Sequence, residues 1–587
     1  MKILGISGIE GTMAFKRRHW PGLDEREYRI SQGHDSAAAL VVDGEFVFGV
    51  AEERISRRKH TGDFPIGAIE ACLKDTGLDI SDIDEVAHGF DYGPYRIHYG
   101  LDPISAELYR DVLSRDAFAT LLRRAAPELP ADRIRHVDHH LAHAASAYYT
   151  SGWDECLVIV VDGMGEAHGV TVYAARDGQL SPVHRIPATD SIGIFYSVVT
   201  LHLGFEFNSD EYKVMGLAPY GDPERHRAFF DQAVELRDDG GWRIPLLRMA
   251  GTREERENHL SARRYLTGHL IAARDPDSEI TREHEDVAAG LQACLDRVIQ
   301  HMCGHFARRL GIGRLALAGG VALNTTANAR LLEAGLLDEI YVQPAAADDG
   351  SALGAALQRA ATAGEVVNHR TPTPFYGPVH GGAARESALN AFADRIEITP
   401  LGSLNQSCNT AADLIAAGEV IAWYRERMEF GPRALGHRSI LADPGRADMR
   451  DRVNALVKMR EAFRPFAPAV TLEQAGRWFE IEDGLELPYM NVNVNVRPQF
   501  RSQLPATTHV DGSARIQTVS SRDNASFHAL LGAVGRRTGR EMVLNTSFNV
   551  KGQAIVNTPS EAIETFLGTG IEALFLEDVL VRKRDAA

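Results

Sequence analysis

The sequence has little cysteine and no cysteine pattern of structural use. Its five cysteines are scattered over 587 residues and form no CxxC pair. Disulfide frameworks and structural zinc sites need paired or closely spaced cysteines, so neither is expected. The cysteine usage therefore predicts a protein of the reducing cytoplasm.

Long apolar runs are also missing. No stretch approaches the ~20 consecutive apolar residues that a membrane-spanning helix requires. The opening residues, MKILGISGIE, lack the extended apolar core of a signal peptide. We expect no membrane partner and no export signal.

Positive charge is in deficit. The chain has 63 Lys and Arg against 80 Asp and Glu, which gives a formal charge of −17. Neutralising a phosphate backbone requires a basic face, so we expect no nucleic-acid partner. The 587 residues are enough for at least two domains, and an apolar content of 44% is that of a globular protein.

The N-terminal part repeats one pattern. A short apolar strand is followed by a hairpin whose turn is Asp-Gly, a dipeptide typical of two-residue hairpin turns. The first copy comprises residues 3–6, 37–42 and 45–51, and the second comprises residues 157–161, 170–175 and 180–186. The repeat predicts a duplicated α/β fold with a cleft between its halves, and this pattern resembles the actin and sugar-kinase architecture.

Glycine-rich turns follow two later strands. A long amphipathic helix is predicted at 282–310, and a strand at 315–318 runs into Gly319-Gly320 before a helix that starts near Thr325. Another strand at 340–342 precedes Asp348-Asp349-Gly350 and a helix rich in small residues. Strand, glycine turn and helix N-terminus in series can hold a phosphate or nucleotide, although such a turn is often only structural.

Residues 365–382 contain three Pro, three Gly and two His without periodicity, and we place a linker there. The predicted domains are therefore 1–364 and 383–587. The second is also α/β, with strands at 420–424, 541–544 and 573–576. Thr558-Pro559-Ser560-Glu561 predicts a capping box at a helix start.

A metal site is suggested by His139 and His143. The two histidines lie four residues apart in a helical pattern, so they share one helix face. Asp162 ends an apolar strand and Asp348 follows another, where a carboxylate needs a metal or a donor. Two histidines with carboxylates suit iron, manganese or zinc. Two ordinary histidines remain an equal alternative on spacing alone.

A basic segment suggests an anion site. Residues 433–464 hold eight Arg or Lys against four acids. Lys458 and Arg460 are two apart and would point to one side of an extended segment, where they could grip one anion. Asn545 to Asn549 follow a strand with short polar side chains that suit phosphates or ribose. The alternatives are a solvated charged face and a plain turn.

A third group is His34-Asp35-Ser36, at the entry to the first hairpin, with Arg57-Arg58-Lys59-His60 after its last strand. A histidine close to an anion-binding lysine can act as a general base on a hydroxyl. A satisfied loop histidine is the commoner outcome for such a residue.

Nine motifs, in one order over nearly the whole chain, resemble those of the NodU/CmcH O-carbamoyltransferases. They are HDSAAAL (34–40), EERISRRKHTGDFP (52–65), HHLAHAASAYY (139–149), VVDGMGE (160–166), EYKVMGLAPYG (211–221), GGVALN (319–324), EFGPRALGHRSILADP (429–444), KMREAFRPFAP (458–468) and LNTSFNVKGQAI (544–555). Any one of them alone would be weak evidence, whereas the ordered set is specific.

The resemblance implies a TsaD-like N-terminal domain of the actin and sugar-kinase superfamily and a YrdC-like C-terminal domain. The C-terminal site would form carbamoyl adenylate from carbamoyl phosphate and ATP with Mg²⁺. The N-terminal site, with Fe²⁺ or another divalent metal, would transfer the carbamoyl group to a hydroxyl.

The resemblance also implies roles for individual residues. The metal ligands would be His139, His143, Asp162 and Asp348. His34 would be the base and Lys59 would help hold the intermediate. Nucleotide and carbamoyl phosphate would be bound by Gly319, Gly320, Asn324, Arg433, Arg438, Lys458, Arg460, Arg464, Arg515, Asn545 and Ser547.

One departure from the family pattern precedes the HDS motif. About two dozen residues, including Phe15 to Trp20, lie between Gly8 and His34. An aromatic and basic insertion favours a large acceptor such as a macrolide or an ansamycin, or is a solvent loop. Two other functions stay open: a tRNA threonylcarbamoyl-type enzyme, and a non-catalytic nucleotide- and metal-binding regulator. A homodimer is a reasonable expectation.

Overall fold

The computed structural model describes residues 1–367, 373–461 and 463–584. By packing, the chain forms two compact units. The N-terminal unit comprises Met1–Glu53 with His60–Thr371, and the C-terminal unit comprises Arg54–Lys59 with Pro372–Ala587. Part of the predicted linker at 365–382 lies outside the described residues.

Two sheets of five strands form the framework of the N-terminal unit, together with a small two-stranded ribbon. The strands are β1 Lys2–Ser7, β2 Ala37–Val42, β3 Glu45–Ala51, β4 Glu85–His88, β5 Ile134–His136, β6 Glu155–Val161, β7 His168–Arg176, β8 Gln179–Pro187, β9 Glu235–Leu236, β10 Trp242–Arg243, β11 Arg314–Ala318 and β12 Glu339–Val342.

The two sheets share one topology. The first has the order β3-β2-β1-β4-β5 and the second has the order β12-β11-β6-β7-β8. In each, the first strand pairs antiparallel with the hairpin that follows it and parallel with a later strand. Both hairpins turn at Asp-Gly, with Asp43 and Asp177 in the left-handed region. The predicted duplication is confirmed.

The helices of the N-terminal unit lie between and around these sheets. They are α1 Thr12–His19, α2 Glu25–Tyr28, α3 Glu52–Ser56, α4 Ile66–Thr76, α5 Arg96–Tyr99, α6 Pro103–Leu108, α7 Arg115–Ala125, α8 His139–Ser151, α9 Ile192–His202, α10 Glu211–Leu217, α11 Arg227–Ala233, α12 Arg253–Asn258, α13 Leu260–His269, α14 Arg282–Leu310, α15 Thr325–Glu333 and α16 Asp348–Thr362. The end of α3 packs with the C-terminal unit.

Helices α8 and α16 pack unusually close together. A Cβ on Gly354 of α16 would lie 1.7 Å from the carbonyl oxygen of Ala142 on α8. A Cβ on Gly5 of β1 would lie 1.8 Å from the carbonyl oxygen of Ala352. These approaches require glycine and bring the first residue of α16, Asp348, to the histidines of α8.

The inserted residues before the HDS motif form two short helices, α1 and α2. Their inner face is pinned by Lys16, whose Nζ is buried and donates to the carbonyls of Ile30 and Glu257. Arg18 pairs with Glu107 of α6 at 2.8 Å. The insertion is therefore a packed part of the unit and not a free solvent loop.

The C-terminal unit is a mixed α/β layer structure, as predicted. Its strands are β13 Ile396–Pro400, β14 Ile421–Tyr424, β15 Arg438–Ala442, β16 Ala467–Thr471, β17 Asn493–Asn495, β18 Ser513–Arg515, β19 Gln517–Val519, β20 Met542–Ser547, β21 Ala573–Leu576 and β22 Val579–Lys583. Its helices are α17 Gly382–Ala391, α18 Leu404–Ala417, α19 Met449–Val453, α20 Leu472–Trp478, α21 Ala525–Thr538 and α22 Pro559–Leu567.

Eight of these strands form one sheet, in the order β13-β22-β21-β14-β15-β20-β16-β19. Alternate side chains of β14 enter different cores, because successive residues of a strand face opposite sides. Ile421 and Trp423 pack with the α18 and α21 side, whereas Ala422 and Tyr424 pack with the α17 and α22 side. Both faces of the sheet are therefore buried under helices.

Helix boundaries follow their capping residues. Helix α14 runs between Thr281 at its N-cap and Gly311, which takes the left-handed conformation at its C-cap. At α22 the Thr558 hydroxyl accepts the N–H of Glu561, as the capping box predicts. The Glu561 carboxylate accepts the N–H of Asn557 instead of that of Thr558. The predicted reciprocal box is thus wrong in its second half.

No helix in the described part of the chain has both the length and the apolar composition needed to cross a membrane.

Candidate functional site

The four predicted metal ligands converge in the N-terminal unit. One ligand atom from each of His139, His143, Asp162 and Asp348 lies within 4.8 Å of the others. Both imidazoles are fully buried, and Asp162 is 7% exposed. Two helix N-terminal segments and one strand end supply these side chains, so the site depends on the packing of α8, α16 and β6.

The imidazoles point at a common centre. The Nε2 atoms of His139 and His143 lie 3.1 Å apart. Asp348 Oδ1 lies 3.5 Å from both of them, and Asp162 Oδ2 lies 3.5 Å from His139 Nε2. Two nitrogens and two carboxylates around one point form a donor set that fits a divalent transition metal.

The orientation of His139 is fixed from behind. Its Nδ1 lies 3.0 Å from the carbonyl oxygen of Gly89, which can only accept, so Nδ1 carries the proton and Nε2 faces the cluster. Phe90 stacks on the same ring with centroids 4.0 Å apart. The Glu166 carboxylate accepts the backbone N–H of His139 and that of Asp91. These contacts fix the orientation of the His139 ring independently of a bound metal.

Burial and charge shift the acidities of the cluster in opposite directions. Burial acts to lower the pKa of His139, but the carboxylates of Asp348 and Asp162 outweigh it and hold that pKa well above its usual value. Burial acts to raise the pKa of Asp162, but hydrogen bonding from His139 and the nearby imidazoles lower it. The site therefore keeps its carboxylates ionised, which favours a bound cation.

The glycine turn after β11 supports this cluster. Gly319 has a φ of 90°, and a Cβ there would lie 2.3 Å from the carbonyl oxygen of Val161. Gly320 donates its N–H to Asp162 Oδ1 at 2.9 Å. Asn324 caps α15 by accepting the N–H of Ala327 and exchanges two hydrogen bonds with Gln292. These groups have structural partners, and the nucleotide role predicted for them remains a prediction.

His34 lies in the same unit, with its Nε2 3.4 Å from Ser31 Oγ. Burial lowers its pKa, and the opposing charges include Asp35 and the metal-cluster residue Asp348. Asp35 Oδ1 contacts His60 Nδ1 at 2.8 Å, and the backbone N–H of His60 donates to Glu53. His34 is thus a half-buried imidazole whose lowered pKa favours its neutral form, and it lies close enough to Asp348 to feel that charge.

A second cluster gathers the predicted cations of the C-terminal unit. Arg515 is half-buried, and its pKa is lowered well below the usual value by the desolvation of its guanidinium and by Arg433, Arg460 and Arg464. Arg515 Nε has no hydrogen-bond partner in the described part of the chain. Several like charges held close together at a half-buried site repel one another unless an anion is bound between them.

Lys458 belongs to this cluster but is not on an extended segment. It ends a one-turn π-helix, Asn454–Lys458, and Met459 is in the left-handed region. The prediction that Lys458 and Arg460 project from one face of an extended segment is therefore wrong. Burial lowers the pKa of Lys458, and Arg460, Arg464 and Lys59 lower it further.

Lys458 is already hydrogen bonded within the unit. Its Nζ donates to the Ser547 carbonyl oxygen at 2.5 Å and to Asn549 Oδ1 at 2.7 Å. Arg460 lies over the Phe466 ring at 3.9 Å. Lys59, predicted to assist transfer, packs with this unit and lies close enough to act on the pKa of Lys458.

Arg438 and Asn545 have structural roles. The terminal guanidinium nitrogens of Arg438 donate to the carbonyls of Arg425, His437 and Glu426, and the group stacks on Tyr424. Asn545 Nδ2 donates to Ala434 and to Gln517. Three of the five N–H donors of Arg438 are therefore used within the unit, and only Nε–H and one N–H of Nη2 are left for any other partner.

Sequence reasoning missed two carboxylates that organise these sites, Glu166 and Glu429. Each lies inside a quoted motif, but neither has a pattern of spacing that reveals its backbone partners. Phe90 had no signal at all, since an apolar residue after a strand is ordinary core.

Two family models match most of the chain. A family model described as "Carbamoyltransferase N-terminus" matches residues 28–92 and 102–357. One described as "Carbamoyltransferase C-terminus" matches residues 412–583.

Two curated relatives cover most of the chain. Nodulation protein NolNO of Sinorhizobium fredii is 40% identical over 94% of this chain and 80% of its own length. The 3'-hydroxymethylcephem-O-carbamoyltransferase of Streptomyces clavuligerus is 27% identical over 94% of this chain and 98% of its own length. Among solved structures, full-length HypF in its phosphate- and nucleotide-bound form is 14% identical over 62% of this chain and 47% of that chain, with a TM-score of 0.33.

Proposed function

Since this chain is an enzyme of the carbamoyltransferase family, we propose that it is an ATP-dependent O-carbamoyltransferase with one half-reaction in each unit. The C-terminal unit forms carbamoyl adenylate from carbamoyl phosphate and ATP. The N-terminal unit transfers the carbamoyl group to a hydroxyl of a small natural product. The observation that carries the proposal is the half-buried cation cluster around Arg515, because like charges held this close together favour an anionic ligand between them.

The first half-reaction uses the cation cluster. Carbamoyl phosphate loses its phosphate to water, and the resulting carbamate oxygen bonds to the α-phosphorus of ATP while pyrophosphate leaves. Arg433, Arg460, Arg464 and Arg515 hold the phosphates and offset the charge that develops on them, with Mg²⁺ bound to the nucleotide. Lys458 orders Ser547 by donating hydrogen bonds to its carbonyl and hydroxyl oxygens.

The second half-reaction uses the histidine and aspartate cluster. A divalent metal held by His139, His143, Asp162 and Asp348, for which Fe²⁺ is our candidate, would polarise the carbamoyl carbonyl as a Lewis acid. His34, neutral because burial lowers its pKa, takes the proton of the acceptor hydroxyl. The acceptor oxygen then bonds to the carbamoyl carbon, and AMP leaves. The Gly319-Gly320 turn holds Asp162 in place throughout.

The names of the relatives bear on the acceptor. One is named for a 3'-hydroxymethylcephem and another for nodulation, so we propose a small natural product with a free hydroxyl. The packed helix α1 precedes the family match, which starts at residue 28, the last residue of α2. Helix α1 makes this unit different from the family core, which is compatible with a bulky acceptor such as a macrolide or an ansamycin.

The compartment follows from the thiols. All five cysteines are free and buried, and burial raises the pKa of Cys294 to about 11. Free structural thiols persist in a reducing compartment, so we propose a cytoplasmic location.

The test of the proposal is ATP–pyrophosphate exchange measured with and without carbamoyl phosphate. We expect exchange that depends on carbamoyl phosphate. If labelled pyrophosphate enters ATP at the same background rate in both reactions, the adenylation step is refuted.

A further inference from the structure

Arg433 lies on a loop that no sheet ladder or helix holds. The loop comprises residues 425–437 and joins β14 to β15, and its backbone has no regular secondary structure. Most of residues 428–437 are nevertheless buried. Buried backbone groups need hydrogen-bond partners. Met428 and Phe430 find theirs on the backbone of residues 374–378, whereas side chains supply partners to the residues that follow Arg433.

One carboxylate supplies three of these partners. Glu429 Oε1 accepts the backbone N–H of Leu435 at 2.8 Å, of His437 at 2.9 Å and of Arg438 at 3.1 Å. Glu429 is 2% exposed. Its second oxygen, Oε2, is buried with no hydrogen-bond partner in the described part of the chain. Glu429 therefore holds all three N–H groups through one oxygen atom, Oε1.

Two amides hold the opposite side of the same loop. Gln517 Nε2 donates to the Leu435 carbonyl at 2.8 Å, and Asn545 Nδ2 donates to the Ala434 carbonyl at 3.2 Å. The two amides also bond to each other at 2.9 Å. The residues next to Arg433 are thus fixed through both their N–H and their carbonyl groups.

Packing leaves the loop little room to move. Gly436 has a φ of 112°, and a Cβ there would lie 2.4 Å from Cδ1 of Phe527. His437 stacks on Phe375 with ring centroids 3.6 Å apart. The conformation that carries Arg433 is therefore specified by close contacts as well as by hydrogen bonds.

The charge of Glu429 is unfavourable for the site it serves. A buried carboxylate in the same loop as an anion-binding arginine repels an incoming phosphate. Retaining it makes physical sense only if its structural effect exceeds that repulsion.

We infer that Glu429 is a positioning residue, which holds the 425–437 loop so that Arg433 joins Arg515 in one anion site. The inference rests on the proposed function for its substrate, carbamoyl phosphate or ATP. The positioning of Arg433 should affect the binding of any phosphate-sized anion.

Replacing Glu429 should change the phosphate affinity in opposite directions under the two possible roles of this residue. If Glu429 were only a nearby negative charge, neutralising it would strengthen phosphate binding. If it positions the loop, removing it weakens binding although a repulsive charge is lost. We expect Glu429→Ala to bind inorganic phosphate at least about tenfold more weakly, since one charge-assisted contact is lost.

The experiment is calorimetric titration of the full chain with inorganic phosphate. Glu429→Gln keeps one carbonyl oxygen as an acceptor, so we expect weaker binding than wild type but tighter binding than Glu429→Ala. Asp443→Asn is the matched control. Asp443 is a buried carboxylate at the far end of β15 that accepts the N–H of Gly445 and pairs with Arg540, and we expect wild-type affinity from this variant.

Phosphate binding by Glu429→Gln that equals or exceeds that of wild type overturns the inference, and this holds even if Glu429→Ala fails to fold. An absence of phosphate binding by wild type also overturns it. Carbamoyl-phosphate-dependent exchange is run on the same proteins. Failure of exchange in wild type, with phosphate affinities in the predicted order, refutes the proposed function and leaves the role of Glu429 supported.

Discussion

We predict that Gly354→Ala weakens metal binding by forcing apart helices α8 and α16, which carry three of the four metal ligands. The new Cβ would lie 1.7 Å from the Ala142 carbonyl oxygen, whereas a carbon and a carbonyl oxygen pack at about 3.3 Å. Helices α8 and α16 must therefore separate locally by roughly 1.6 Å. Such overpacking costs about 1–3 kcal/mol of stability.

The displacement reaches the ligands because Asp348 is the first residue of α16, about 9 Å along the helix axis from Gly354. Asp348 Oδ1 lies 3.5 Å from the Nε2 atoms of His139 and His143. Metal–ligand distances tolerate only about 0.2 Å of error. We expect the affinity for Mn²⁺ or Fe²⁺ to fall about 10–100-fold, as when a supporting group of a metal site is removed.

The assay is metal content after dialysis, with a calorimetric Mn²⁺ titration. Gly268→Ala in α13 is the control, because no other atom lies within 4 Å of the position of its added Cβ. Wild-type metal affinity in Gly354→Ala, together with an unchanged Tm, would refute the reasoning that close packing of α8 and α16 forms the site.

Three further predictions follow. Burial lowers the pKa of His259 to about 4, whereas this histidine takes up a proton in the unfolded chain below about pH 6.5. The stability of the native protein therefore falls as the pH drops from about 6.5 to about 4. His259→Asn should remove up to about 2 kcal/mol of this loss at pH 5, and equal acid sensitivity in both proteins would refute this. Thr558→Ala removes the cap of α22 and should cost about 1 kcal/mol, seen as a lower Tm, whereas an unchanged Tm would argue that the cap contributes nothing. Lys458→Met should abolish exchange but leave metal content at the wild-type level, and retained exchange would remove Lys458 from the anion site.

Local signals predicted much of the fold. Asp43-Gly44 and Asp177-Gly178 placed both hairpins, because few dipeptides fit that turn. The amphipathic pattern predicted α14 at 282–310, and the structure has the helix at Arg282–Leu310. The identical order of the two five-stranded sheets then confirmed the duplication that the hairpins suggested.

The sequence predicted which residues form the candidate sites, but not the tertiary contacts that hold them in place. The spacing of His139 and His143 indicated a shared helix face, and their convergence with Asp348 depends on the glycine contact at Gly354. The attachment of the 425–437 loop through Glu429 arises from tertiary contacts and has no periodic trace in the sequence. The same is true of the packing of Arg54–Lys59 with the C-terminal unit.

The backbone conformation near Lys458 could not be predicted from the local sequence. The prediction that Lys458 and Arg460 point to one side assumed an extended segment, but Met459 has a φ of 43° after a one-turn helix. The buried ammonium bonds to the carbonyls of Ser547 and Asn549. Satisfying that buried charge favours the observed conformation over an extended chain.

The division of labour between the two units is tested most directly by ATP–pyrophosphate exchange in His143→Ala. The variant loses a metal ligand of the N-terminal unit and leaves the cation cluster of the C-terminal unit intact. We predict exchange at the wild-type rate, dependent on carbamoyl phosphate, with no carbamoyl transfer. Loss of exchange in a folded His143→Ala protein would contradict the assignment of adenylation to the C-terminal unit.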